Sequence, residues 1–238
     1  MSQCKYKRVL LKLSGESFCK PGGFGIDGPS LQSIAERIAR LAKLVPQVAV
    51  VIGGGNFLRG ATFSQTSRIP RTTADYMGML ATVINACALQ ETLEQIGQPT
   101  RVLSAIEVSA ICEPFVKRRA IRHLEKGRVA ILAGGTGNPF FSTDTCAALR
   151  AAEIGAELMI KATKVDGVFT DDPVKNPDAK MIESLTYQDV LGQNLKIMDP
   201  AAISLCRENN IPIVVLNIFK EGNITLAIEG RRVGTLIS

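Results

Sequence analysis

The sequence holds a single histidine, His123, and no tryptophan. One imidazole excludes every mechanism that needs a histidine pair and weakens any serine or cysteine triad. It lies in RAIRHLEKG, near the end of a helical stretch where a polar face is ordinary. No apolar run reaches the ~20 residues that a membrane span requires. The opening MSQCKYKRVLLKLSGES is basic and then apolar. Its apolar stretch is short, Lys12 breaks it and no small-residue cleavage site follows, so it reads as a first strand rather than a signal peptide. The six cysteines (4, 19, 87, 112, 146 and 206) form no CxxC pair. That pattern suits reduced thiols in a cytoplasmic protein rather than a disulfide or zinc framework. The chain contains no GxxxxGK[ST], which excludes a P-loop enzyme, and no HRD or DFG set, which excludes a protein kinase. GFGIDG at 23–28 matches GxGxxG literally, but it follows CKPG instead of a buried strand. Asp27-Gly28-Pro29 reads there as a turn before a helix.

What is present is a chain of 238 residues, 46% hydrophobic, with a net charge of +6. That length suits one large α/β domain or two small ones. The basic residues are spread out, with small clusters only at KRR 117–119 and RR 231–232. With few aromatics between them, they fit a solvated surface or an anionic small-molecule substrate better than a nucleic-acid track.

Apolar periodicity alternates along the chain. Strands are expected at 6–13, 48–52, 101–104, 129–133, 158–161 and 212–217. Helices are expected at 30–44 with Ser30 as N-cap, 74–96, 113–126, 143–154, 199–209 and 221–228, with a loop across 165–180. Strands alternating with helices imply a largely parallel sheet covered on both faces, a three-layer αβα sandwich. VAVVI, VAILA and PIVVL are continuous apolar runs, as strands buried on both sides require.

In such sheets ligands lie beyond the carboxyl ends of the strands. Four loops there are unusual. KLSGES (12–17) ends a strand on Lys12 and turns at Gly15. VVIGGGNFLRG (50–60) runs from a strand into three glycines and then Arg59; so bare a backbone suggests close approach by a ligand. GGTGNPFFSTD (134–144) places small residues and two aromatics before a helix start where Thr143 and Asp144 suit capping. KATKVDGVFTDDP (161–173) mixes lysines and aspartates. Together they supply lysines, an arginine, bare amides and carboxylates at one rim, an inventory suited to phosphoryl transfer.

These loops, in this order, resemble the amino-acid kinase family, and within it the bacterial branch that phosphorylates UMP. The matching segments are YKRVLLKLSGES (6–17), GFGID (23–27), VVIGGGNFLRG (50–60), ADYMGMLATVINA (74–86), GTGNPFFSTDT (135–145), KATKVDGVFTDDP (161–173), LKIMD (195–199) and GTLIS (234–238). Residues 62–73 lie outside the matched pattern. The resemblance implies transfer from ATP to UMP with magnesium carried by ATP, in a cytoplasmic homohexamer with no membrane or nucleic-acid partner. It implies one domain with an acceptor-nucleotide lobe (1–155) and an ATP lobe (156–238). By position, Lys12, Leu13, Ser14, Gly15, Gly55, Arg59, Thr163, Phe169 and Asp172 match ATP contacts. Gly54, Asp75 and the run Thr136, Gly137, Asn138, Pro139, Phe140, Phe141, Ser142 and Thr143 match UMP contacts. Gly23, Phe24, Gly25, Ile26 and Asp27 lie where a GTP effector contact would fall.

A UMP phosphate oxygen is already ionised at neutral pH, so its attack needs no general base. Lys12, Arg59 and Lys161 supply positive charge, and Asp144 is the proposed organiser of a lysine or a metal-bound water. Asp199 is a weaker organiser, with a helix N-cap as its ordinary role. Two alternatives stay open: a family member acting on a small carboxylate or carbamate, and a nucleotide sensor without turnover.

Overall fold

The computed structural model describes residues 4–171, 175–176, 178–193, 195 and 197–238. The chain runs β1 (Arg8–Leu13), a 3-10 turn (Gly15–Phe18), α1 (Gly28–Leu44), β2 (Gln47–Ile52), α2 (Gly60–Thr66) and α3 (Arg71–Gln95). It continues through β3 (Thr100–Ser104), β4 (Glu113–Pro114), α4 (Lys117–Glu125), β5 (Val129–Ala133), α5 (Thr143–Ile154) and β6 (Leu158–Thr163). The remainder is β7 (Val168–Phe169), β8 (Met181–Ile182), β9 (Ser184–Leu185), α6 (Tyr187–Gly192), α7 (Pro200–Glu208), β10 (Ile213–Asn217), α8 (Asn223–Ile228) and β11 (Thr235–Ile237).

Among the described residues, nine strands form one sheet in the order β4-β3-β5-β2-β1-β6-β10-β11-β9. Its pairs are parallel except β10 with β11. Strand alternation divides the core into two layers. Val9, Leu11 and Leu13 join Val48, Val50 and Ile52 beneath α1 and α3. Leu10, Ala49, Val51 and Met159 pack with α5 and α7 on the other face. This is the αβα sandwich that the sequence implies.

The connection after β1 leaves toward β2, through α1 on one face. The connection after β6 leaves toward β10, through α7 on the other face. β1 and β6 are neighbours, so the crevice at their carboxyl ends is the switch point where an open α/β sheet receives its ligand.

Several boundaries differ from the sequence reading. α1 starts at Gly28, not Ser30: Asp27 is the N-cap and accepts from Ser30 N at 3.0 Å. Residues 113–116 are not helical. Pro114 biases Glu113 to extended backbone, β4 forms there, and α4 begins at Lys117. The helix expected from Ala74 begins at Arg71, directly after Pro70. The last helix begins at Asn223 rather than Glu221. The loop expected across 165–180 contains β7, which pairs antiparallel with β8.

Candidate active site

Lys12 is the penultimate residue of β1 and Lys161 lies near the end of β6; the two are register partners. Both project to the α5 side, where Asp144 occupies the first turn of that helix. Lys12 Nζ lies 2.8 Å from Asp144 Oδ1, and Lys161 Nζ donates to Oδ2 at 2.6 Å. Lys161 also donates to the Ile197 carbonyl. All three side chains are nearly buried, with exposures of 11% for Lys12, 15% for Asp144 and 13% for Lys161. Oδ1 is thus buried against the Lys12 ammonium. Burial pushes the Asp144 carboxyl up, but the two ammonium groups outweigh it and hold it below the ordinary carboxylate value. Burial also pushes Lys161 down; Asp144 opposes that shift and Lys12 adds to it.

The glycine triplet faces this cluster, and its three members do different things. None of the three has a positive φ. A Cβ on Gly54 would lie 2.6 Å from the Gly78 carbonyl oxygen and 2.9 Å from Ala81 Cβ, so Gly54 lets α3 pack against the loop. Gly53 sits against Gly15 and Thr143. A Cβ on Gly55 would meet only the Arg59 side chain, at 3.6 Å, so Gly55 alone leaves its Cα open to a ligand. Gly15 is similarly indispensable, since a Cβ there would fall 2.5 Å from Asn56 Oδ1. A buried amide pair braces the loop: Asn56 and Asn85 exchange hydrogen bonds of 2.9 and 2.8 Å, and Asn85 also donates to the Gly53 carbonyl. Asn56 further donates to Gly25 O, which ties segment 23–27 to the back of the triplet.

The third loop closes one wall. Gly134, Gly135 and Gly137 all have positive φ, and so does Phe140, at 71°. An aromatic residue in that region is strained unless its surroundings hold it. Asp75 does so, accepting from Phe140 N at 2.8 Å while gripping Arg71 Nε with both oxygens at 2.8 and 2.9 Å. The cap of α5 is Ser142, whose Oγ accepts from Asp144 N and Thr145 N; the sequence reading had assigned capping to Thr143 and Asp144. Ser142 donates in turn to Asp199, which accepts from Thr145 Oγ1 at 2.7 Å and caps α7. Asp199 therefore clamps two helix starts together.

A cleft of about 370 Å³ opens over this floor. It gathers Lys12, Ser14, Gly15, Gly54, Gly55, Arg59, Asp75, Phe141, Ser142, Thr143 and Asp144 from the sequence-derived set. Arg59 reaches back to Glu16. The Leu13 side chain is fully buried in the core, leaving only its backbone at the loop. Thr136, Gly137, Asn138, Pro139 and Phe140 stand beside the cleft rather than lining it. Thr163 bonds the Val165 and Leu216 carbonyls, and Phe169 lies on the β7–β8 ribbon. Asp172 lies outside the described residues. His123 is nearly buried between Glu113 and Arg128, remote from the cleft lining.

The sequence reading missed Arg71, Gly78, Met79 and Thr82, which also line the cleft. Arg71 had a signal: it follows Pro70, a residue that often marks where a helix begins. The others are ordinary helix residues that only tertiary packing brings to the site.

A model of the amino acid kinase family matches residues 7–217. The chain belongs to the amino acid kinase family. Among its relatives, the Arabidopsis thaliana protein named Uridylate kinase PUMPKIN, chloroplastic, is 57% identical over 233 residues, covering 98% of this chain and 69% of that protein. The crystal structure of UMP kinase from Bacillus anthracis superposes with a TM-score of 0.93 at 40% identity, covering 98% of this chain and 96% of the other. UMP kinase from Ureaplasma parvum gives 0.90 at 37%, covering 98% and 99%.

Proposed function

We propose that this chain transfers the γ-phosphoryl group of ATP to UMP, giving ADP and UDP. The carrying observation is the Lys12–Asp144–Lys161 cluster at the β1/β6 crevice: Lys12 and Asp144 line the cleft with Gly55 and Arg59, and Lys161 joins them through Asp144 without lining it. Two nucleotides meeting head to head bring several negative charges together, and the barrier lies in holding them and spreading charge on the moving phosphoryl. Two ammonium groups in a nearly dry site act on that charge without reorganising. Asp144 contacts both ammonium groups and so fixes their positions. The names of the relatives favour UMP over a small carboxylate or carbamate acceptor.

In this reading the acceptor lies along Gly54, Asp75 and 136–143, and the donor along 12–15, Gly55, Arg59, Thr163, Phe169 and Asp172. The N-terminal lobe, 1–155, holds UMP and the loops that grip the ATP phosphates, and the remainder holds the adenosine half of ATP. Among the described residues no three metal-ligating groups cluster. Asp144, which lines the cleft, carries the hard carboxylate oxygens that suit Mg²⁺, with the Lys12 ammonium 2.8 Å from Oδ1. Magnesium would thus be held chiefly by ATP phosphates with Asp144 in reach, and its contribution when bound is to neutralise phosphate charge. Segment 23–27, joined to the glycine loop through Asn56, is the proposed effector contact for GTP. Tyr76, Leu80 and Ile84 expose an apolar stripe along α3, which supports a homo-oligomer, a hexamer in this proposal. Six scattered cysteines with no CxxC pair favour a reducing, cytoplasmic compartment in this proposal.

The test is coupled ADP release with UMP, CMP and a set of small carboxylic acids, each with and without GTP. UDP formation with UMP preferred is the expected result. Turnover of a small acid and none of UMP would overturn the reading.

A further inference from the structure

Arg150 lies in α5, in an otherwise alanine-rich stretch, and only 5% of its side chain is exposed. A charge so buried is costly unless its surroundings are built for it. Here they are. Glu153 accepts from Nη1 at 2.6 Å, and the guanidinium stacks on the Phe115 ring with its carbon 3.9 Å from the centroid. Nη2 faces the carbonyls of Gly135 and Thr136, at 3.3 and 3.4 Å.

Those two carbonyls belong to the root of the loop that walls the cleft. Gly134 is fixed by Thr82 Oγ1, which accepts from Gly134 N at 2.8 Å. The far end of the loop is fixed by Asp75 at Phe140 N. Between these points only Arg150 reaches 135 and 136 from outside the loop among the bonds of the described residues. The guanidinium does not line the cleft itself. Its planar fork can reach Glu153 and two carbonyls at once, whereas a lysine offers a point charge.

We propose that Arg150 is a positioning residue: it sets the root of loop 134–142 and so the fit of the acceptor nucleotide. This rests on the reading that the loop holds UMP. A merely structural arginine would alter stability and leave the two substrates alike. A positioning arginine discriminates between them.

The test compares wild type, Arg150→Lys and Arg150→Met in steady-state turnover with ATP and UMP varied separately. A second readout, amide hydrogen exchange, is taken without nucleotide. Arg150→Lys keeps the charge beside Glu153 and serves where Arg150→Met fails to fold. We expect the KM for UMP to rise about tenfold in Arg150→Lys while the KM for ATP changes less than about twofold. Exchange in 135–141 should quicken while that of β1 and β6 stays as in wild type. Equal rises in both KM values, or an unchanged KM for UMP with unchanged loop exchange, would overturn the proposal. If wild type forms no UDP, the functional reading fails by itself. Exchange then decides the role of Arg150: quickening confined to the loop supports it, and unchanged or chain-wide quickening refutes it.

Discussion

Lys12 and Lys161 stand side by side in register on adjacent parallel strands, and the Asp144 carboxylate contacts both ammonium groups. Like charges facing each other across a sheet are destabilising. The fold accepts them because a third strand-to-helix loop delivers one carboxylate between them. That arrangement leaves a net positive charge at the crevice floor, where phosphates would meet.

Removing the carboxylate should therefore damage both stability and activity. Asp144→Asn is expected to cost about 3–5 kcal/mol, because it strands two buried cations. Adding Lys161→Met to it should recover part of that loss and none of the turnover, a non-additivity that denaturant midpoints and kcat would reveal together.

The pH response follows from the shifts. Asp144 titrates below its ordinary 3.8 in the folded protein. Its stabilisation is thus complete above 3.8 and is lost as pH falls through the lower folded value. Lys161 titrates below its ordinary 10.5. Between its folded value and 10.5 the unfolded chain holds more protons, so this group makes stability rise with pH. Activity needs the charge and falls over the same window. An alkaline loss of turnover that precedes any loss of fold is expected, and Lys161→Arg should move it to higher pH.

The glycine triplet separates packing from ligand approach. Gly54→Ala drives a methyl into Gly78 and Ala81 and should cost about 1–3 kcal/mol. Gly55→Ala meets only the Arg59 side chain, at ordinary contact distance, so its stability should stay within about 0.5 kcal/mol of wild type while nucleotide affinity falls. Thermal melts with and without nucleotide check both.

Asp75 holds Phe140 in its left-handed conformation. Asp75→Ala should release the loop and raise the KM for UMP at least about tenfold, with a smaller change for ATP. Separate titrations of the two substrates measure this.

Most of the sheet was legible because its main strands are short, largely apolar runs, and the site because four loops with unusual composition end those strands. The two-residue strands β4, β7, β8 and β9 carry no periodicity to read; partners create them. The start of α1 was misplaced because Ser30 and Asp27 are both good caps, and the structure uses the carboxylate. The cap Thr186 with Asp189 three residues on, at the head of α6, was readable and went unread. Arg150 was beyond reach, since one arginine in a helix reveals neither its burial nor the two carbonyls it meets.

The most direct measurement is turnover against UMP binding in Lys12→Ala, with ADP release for the first and calorimetry for the second. Binding within about threefold of wild type with kcat lowered at least about a hundredfold is the expected outcome. Full turnover in Lys12→Ala would contradict the role given to the cluster.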